Sequence, residues 1–159
     1  MKNQSILVYP RTPHLVFDDK TIFAGDISIP AEKAFKILKN AKNIDISEKI
    51  DGSNVRICFA GDERLIVGNR TKTLNKAYAK KETPAKLQFR PLWTWIFSHK
   101  EQFYNLNKML DSYNEIPTIY GEWLYAKHSL YYDQLPSLFI AYDIYIDGNF
   151  LDPFISRNL

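Results

Sequence analysis

The sequence predicts an α+β fold built mostly of antiparallel sheets with flanking helices. Two observations lead to it. Strand-like runs are separated by the tight-turn pairs Asp51-Gly52, Gly61-Asp62 and Asp147-Gly148, and turns of that length join antiparallel neighbours. The stretch 93–113, by contrast, carries helical periodicity. Strands therefore dominate, with helices gathered to one side.

Along the chain, 5–15 contains Pro10 and Pro13, which fix an extended path and exclude a helix. Residues 30–38 read as a short helix. Pro30 sits where a first-turn proline is tolerated, and Ala34, Ile37 and Leu38 share one apolar face. A three-strand meander is expected next: 44–50 running into Asp51-Gly52, then 54–59, whose residues alternate, then 64–68 after Gly61-Asp62. Asn69-Arg70-Thr71-Lys72 leaves the third strand, and 73–90 reads as loop with a short helix. The helix at 93–113 offers Trp93, Ile96, Phe97, Phe103, Leu106 and Leu110 to the core. Two further strands, 119–125 and 138–145, enclose an aromatic and polar loop at 126–133, and Asp147-Gly148-Asn149 turns the chain into 150–152.

At 159 residues the chain is long enough for a real core and is read as part of a single domain, with no second one. Its net charge of +3 is a mild bias towards anionic partners, not a polybasic signature. Cys58 is the only cysteine, so neither an intramolecular disulfide nor a cysteine-based zinc site is expected. His14, His99 and His128 lack metal-ligand spacing, and no metal site is assignable. No stretch approaches a membrane span and no signal-peptide core is seen, so the expected location is cytoplasmic and no membrane partner is expected.

One run stands out for chemistry: Glu48-Lys49-Ile50-Asp51-Gly52-Ser53-Asn54. A lysine beside an Asp-Gly turn is held close to backbone that can approach a ligand. To act as a nucleophile it must be neutral, which requires its pKa to fall from about 10.4. Asp51 can fix the turn or orient the amine. Taken alone, the pattern reads as easily as a surface lysine before a hairpin turn. Arg70 supplies a permanent cation that can grip phosphate in a two-pronged contact, or simply a solvated strand end. Glu122 is a carboxylate inside an aromatic strand, where burial is costly unless a ribose hydroxyl, a cation or Lys49 meets it. The plainer alternative is an outward residue on an edge strand. Tyr142, followed by Asp143, offers a ring on which a base could stack, or one more core tyrosine among ten.

Taken together, four blocks resemble the first four motifs of the covalent nucleotidyltransferases, the polynucleotide ligases and mRNA capping enzymes. They are 48–54, Arg70, Tyr120-Gly121-Glu122-Trp123, and Phe139-Ile140-Ala141-Tyr142-Asp143-Ile144. Asn54 closing the first block and the form of the last are most similar to ATP-dependent RNA ligases of the type-2 phage kind. Tyr9-Pro10-Arg11-Thr12-Pro13-His14-Leu15 and 120–128 resemble a bacterial and viral branch of that family. The resemblance spans nearly the whole chain.

That resemblance implies a ligase-type, ATP-grasp-like nucleotidyltransferase domain that uses ATP and Mg2+ to join a 5′-phosphate to a 3′-hydroxyl in RNA. Lys49 would take AMP, with Asp51, Arg70 and Glu122 in the catalytic set. Arg70 and Asn54 would orient phosphate or the attacking 3′ end, Glu122 the ribose or a metal-bound water. Glu48, Asn54, Tyr142 and Phe139 would hold the nucleotide, Tyr142 by stacking on adenine and Glu48 at its edge. The family's later motifs, a Glu-Gly-aliphatic-Val strand and a Lys-x-Lys strand, are not found in 150–159. The domain is therefore expected to be C-terminally incomplete, an N-terminal part that works with a missing C-terminal segment or a second polypeptide. A non-catalytic nucleotide- or RNA-binding remnant and a DNA-ligase-like adenylyltransferase are the alternatives.

Overall fold

In the computed structural model, the residues described are 7–15, 27–61, 63–74 and 87–159. They fall into two compact units, one comprising Met1–Val8 with Lys49–Leu159, the other Tyr9–Glu48. In the smaller unit, β1 (His14–Leu15) pairs in parallel with β2 (Ser28–Ile29), and α1 (Ala31–Asn40) follows with Pro30 at its N-cap. Of the three residues expected on its apolar face, Ala34 is buried, Leu38 is half-buried and Ile37 is exposed. Residues 7–13 have no regular structure, as Pro10 and Pro13 require; residues 5 and 6 of that expectation lie outside the described residues.

The larger unit is α+β. It begins, after an irregular lead, with β3 (Ser53–Phe59), β4 (Leu65–Asn69) and β5 (Thr73–Leu74). Two helices follow, α2 (Arg90–Ser98) and α3 (Lys100–Met109). Then come β6 (Thr118–Trp123), β7 (Phe139–Ile146), β8 (Asn149–Phe150) and the short α4 (Pro153–Arg157), capped by the Asp152 side chain, which accepts from the Phe154 N–H. The six strands form one antiparallel sheet in the order β5-β4-β3-β6-β7-β8.

Strand alternation divides this sheet into two faces. Val55, Ile57, Phe59, Val67, Leu74, Ile119, Trp123 and Phe139 form the core with Phe89, Leu92, Ile96 and Phe103 of the helical segment. The Trp123 indole is fully buried there and donates to the Gln88 carbonyl at 2.7 Å. A smaller cluster of Leu110, Ile144, Ile146 and Leu151 closes the other end. The opposite face presents Asn54, Arg56, Tyr120, Glu122 and Asp143, so the chemistry-bearing residues share the face turned away from the helices.

Three local expectations are corrected. The strand predicted at 44–50 is absent: residues 43–51 lack regular structure. Strands exist by pairing, no described strand pairs with this segment, and Ile44 and Ile46 are exposed. Lys49 thus stands in an irregular lead into β3, and Asp51-Gly52 is not a hairpin turn. The single helix predicted at 93–113 is two, broken at His99 (φ −110°, ψ 16°). There the His99 N–H is shared between the Trp95 and Ile96 carbonyls, and its ring stacks on Trp95 at 4.1 Å. In 73–90 the chain first adds the edge strand β5, while residues 75–86 lie outside the described residues. The Asp147-Gly148 turn, by contrast, forms as expected. Both residues have positive φ, 48° and 81°, the left-handed pair of a tight hairpin.

Candidate active site

The site is assembled at one end of the face turned away from α2 and α3, where β3, β4, β6 and β7 meet. Asn54 and Glu122 are direct register partners across β3 and β6. Side chains so placed stand about 4.5–5.5 Å apart at Cβ. Asn54 Oδ1 and Glu122 Oε2 are both buried, and neither has a hydrogen-bond partner among the described residues. Leaving such an acceptor unsatisfied costs about 1–3 kcal/mol. The two stand side by side facing away from the core, with no donor for either among the described residues.

Burial pushes the Glu122 carboxyl up to about 7; the Lys49 ammonium pulls against this, Asp51 adds to it, and the Arg70 guanidinium again opposes it. Glu122 therefore feels the charge of three other predicted residues, Lys49, Asp51 and Arg70. Gly52 explains how the lysine segment comes so near. A Cβ at Gly52 would lie 2.8 Å from the Trp123 carbonyl oxygen, 2.7 Å from Leu124 Cδ2 and 3.4 Å from Glu122 Oε2. Only glycine allows this approach to the end of β6.

Tyr142 reaches the site through an irregularity. Between Tyr120 and Gly121 the β6–β7 register slips, so that Gly121 faces Ala141 but Tyr120 faces Asp143. Tyr142 is the extra residue of this β-bulge, a device that re-aims a side chain. Its hydroxyl accepts a hydrogen bond from Asn54 Nδ2, and the residue is 37% exposed.

Asp51 is tied to the loop at 126–133. Its carboxylate Oδ2 accepts from the Ser129 N–H at 2.8 Å and the Leu130 N–H at 3.2 Å, and its own N–H donates to the Tyr132 hydroxyl at 2.8 Å. The N–H of Ser129 leads the causes that hold the Asp51 carboxyl below its usual range. Asp51 thus clamps a loop some 78 residues away in sequence. Glu48 is exposed and is the last residue of the smaller unit. Phe139 lies apart from the others: it is buried on the helix-covered face, 5.3 Å from the Trp95 ring, in space that the missing Cβ of Gly121 leaves open.

Sequence reasoning passed over Arg56. It is buried on the site face, its Nη1 donates to the Asn69 carbonyl at 2.6 Å, and its Nε has no partner among the described residues. A Cβ at Gly68 would sit 2.6 Å from that guanidinium, so Gly68 makes the room. The arginine thereby braces the strand end from which Arg70 emerges. The signal was present, since Arg56 follows Asn54 by two and so shares its face.

A family model described as RNA ligase matches residues 42–154, more than two thirds of the chain, a span that holds Lys49, Asp51, Asn54, Arg70, Glu122 and Tyr142. The chain belongs to the RNA ligase family. No curated protein and no solved structure matches it. The family implies ligase chemistry on RNA and, in general, use of ATP and a metal ion. The nucleotide fits the residues present, because its ribose hydroxyls are donors of the kind that Asn54 Oδ1 and Glu122 Oε2 lack. A protein-held metal fits less well: no group of three or more His, Cys, Asp or Glu side chains suited to a metal stands together among the described residues. No helix of the described residues is long and apolar enough to cross a membrane.

Proposed function

We propose that this RNA ligase family domain is the ATP-dependent nucleotidyltransferase part of an RNA-sealing enzyme, with Lys49 as the residue that takes AMP. The single observation that carries the reading is the pair of partnerless buried oxygens on Asn54 and Glu122, set beside two cations, Lys49 and Arg70, whose charge Glu122 feels. A nucleotide brings both of the complements required, hydroxyl donors for the oxygens and phosphates for the cations.

In the first step the neutral Lys49 amine attacks the α-phosphorus of ATP. A P–N bond forms, the bond from that phosphorus to the β-phosphate bridging oxygen breaks, pyrophosphate leaves, and the amine loses a proton. In the second step a 5′-phosphate oxygen of RNA displaces the lysine, which regains its proton. In the third a 3′-hydroxyl attacks the activated 5′-phosphate, expels AMP and closes the phosphodiester. Across these steps Arg70 holds phosphate as a fixed cation, the kind of preorganised charge that lowers such barriers most. Glu122 and Asn54 anchor the ribose, and Tyr142 stacks on adenine. Glu48 takes the adenine edge by its place in the motif. Phe139 supports the strand from the core side. Mg2+ travels with the triphosphate and screens its charge, and the acceptor is the 3′ end of RNA.

Incubation of the full chain with α-labelled ATP and Mg2+, followed by denaturing electrophoresis, tests this. Label retained by the wild type and lost in Lys49→Ala is the expected result. A wild type that takes no label at any pH overturns self-adenylylation.

A further inference from the structure

A second cleft lies at the same strand ends but beside the buried Trp123 indole rather than on the Glu122 face. Leu87, Gln88, Arg90, Pro91, Tyr125 and Ala126 line an open cleft of about 410 Å3. Tyr125 is 53% exposed, yet its ring is backed by Trp123 at 6.3 Å and 13°, nearly parallel. The ring thus lies parallel to the indole and largely exposed in the cleft wall. Arg90 sits in the wall. Lys127, next along from Ala126, is exposed and lies 5.7 Å over the Tyr131 ring, itself 74% exposed.

This cleft is wired to the lysine segment. The Ser53 hydroxyl donates to Gln88 Oε1 at 2.8 Å, which leaves its oxygen to accept from His128 Nε2 at 3.1 Å. Ser53 lies four residues after Lys49, and Asp51 clamps the same loop through Ser129, Leu130 and Tyr132. The cleft wall, the aromatic–basic loop and the lysine segment are therefore one hydrogen-bonded assembly.

The geometry points to this cleft and its adjoining loop as a docking subsite for a single-stranded RNA end, separate from the nucleotide pocket, with a base on Tyr125 and phosphates on Arg90 and Lys127. Open aromatic faces interleaved with cations are the recurring means of holding single strands without reading sequence. The net positive chain favours an anionic occupant. Within this assembly the Asp51 carboxylate is engaged by two N–H groups, and Asp133 at the end of the loop is exposed to solvent. The inference rests on the reading of the chain as an RNA ligase domain.

Binding of a short fluorescent single-stranded RNA to the full chain, followed by anisotropy over a salt series, tests it. Tyr125→Ala weakens binding about tenfold and Tyr125→Phe leaves it intact. Arg90→Ala and Lys127→Ala each flatten the salt slope by about 0.7. All four variants keep the wild-type labelling of Lys49 by ATP. RNA affinity unchanged in both Tyr125→Ala and Arg90→Ala overturns the subsite. So does full displacement of RNA by excess ATP, which places the strand in the nucleotide pocket. Concentration-dependent self-association abolished by the same variants assigns the cleft to a second copy and overturns it too. Should the wild type take no label from ATP, the ligase reading fails, yet the Tyr125 and Arg90 comparison still decides the cleft.

Discussion

Asn54 and Glu122 face each other across β3 and β6, and each buries a side-chain oxygen that no described residue satisfies. A stable fold ordinarily satisfies such atoms or exposes them. Under the proposed function they serve as acceptors for the bound nucleotide. Glu122→Gln replaces the anionic acceptor with a weaker, neutral one while keeping its shape. It should lower ATP-dependent labelling of Lys49 about 10- to 100-fold, the worth of about 1.5–3 kcal/mol for a hydrogen bond to a charged group. Single-turnover labelling against ATP concentration checks this; an unchanged rate removes Glu122 from the site.

The same carboxylate makes stability depend on pH. Its folded-state pKa of about 7 lies above the ordinary value of 4.5, so the folded protein binds the proton more tightly. Its favourable contribution is complete below pH 4.5 and is lost as pH rises to about 7, beyond which the folded state holds a half-buried anion. Glu122→Gln should therefore stabilise the protein by about 1–2 kcal/mol at pH 8, once residual solvent screening is allowed for, and change little at pH 4. Thermal unfolding at the two pH values reads the difference. An equal effect at both means that the carboxylate is not held neutral by burial.

Gly52→Ala is expected to be far more harmful than its size suggests. The added methyl meets the Trp123 carbonyl at 2.8 Å, and backbone in mid-sheet cannot step aside. The lysine segment must move instead, so labelling falls at least tenfold, with about 1–3 kcal/mol lost from stability. Gly148→Ala offers an instructive contrast. Its Cβ meets nothing within 4 Å, but φ of 81° strains it, so stability drops while labelling stays at the wild-type level. Parallel labelling and unfolding of the two variants separate lost space from lost turn geometry.

Asp51→Asn removes the charge that holds Ser129 and Leu130. Limited proteolysis at pH 7 should cut the loop at 126–133 faster in the variant. Because the Asp51 pKa is lowered from 3.8 in the folded protein, its contribution is present above that value and is lost as pH falls through the folded value. The two proteins should therefore converge in acid. Equal cutting at pH 7 shows that the loop is held by other contacts.

How far the sequence could be read is best judged residue by residue. Lys49, Asp51, Arg70, Glu122 and Tyr142 were all picked from their types and spacing, and the structure brings them to one end of one sheet face. Arg56 went unnoticed although alternation placed it beside Asn54, because a strand arginine reads as solvated until Gly68 is seen to shelter it. Phe139 was grouped with Tyr142 as a nucleotide contact, yet it lies with Trp95 in the core. The two are three residues apart, so strand alternation alone puts them on opposite faces. Tyr142 stands at the bulge, and its hydroxyl accepts from Asn54 Nδ2.

By itself, the sequence determined what is local: antiparallel strands from turn chemistry at Asp147-Gly148, a helical stretch from its periodicity, and the ordered motifs that mark the family. Such features depend on neighbours in the chain and are written there. The tertiary structure alone decided which residues meet. The bond from Asn54 to Tyr142 spans 88 positions and the clamp of Asp51 on Ser129 spans 78. It also denied 44–50 a strand for want of a partner, and broke the long helix at His99. Contacts of that range are fixed by the register of β3, β6 and β7 and by what the core will hold, and no window of sequence contains them.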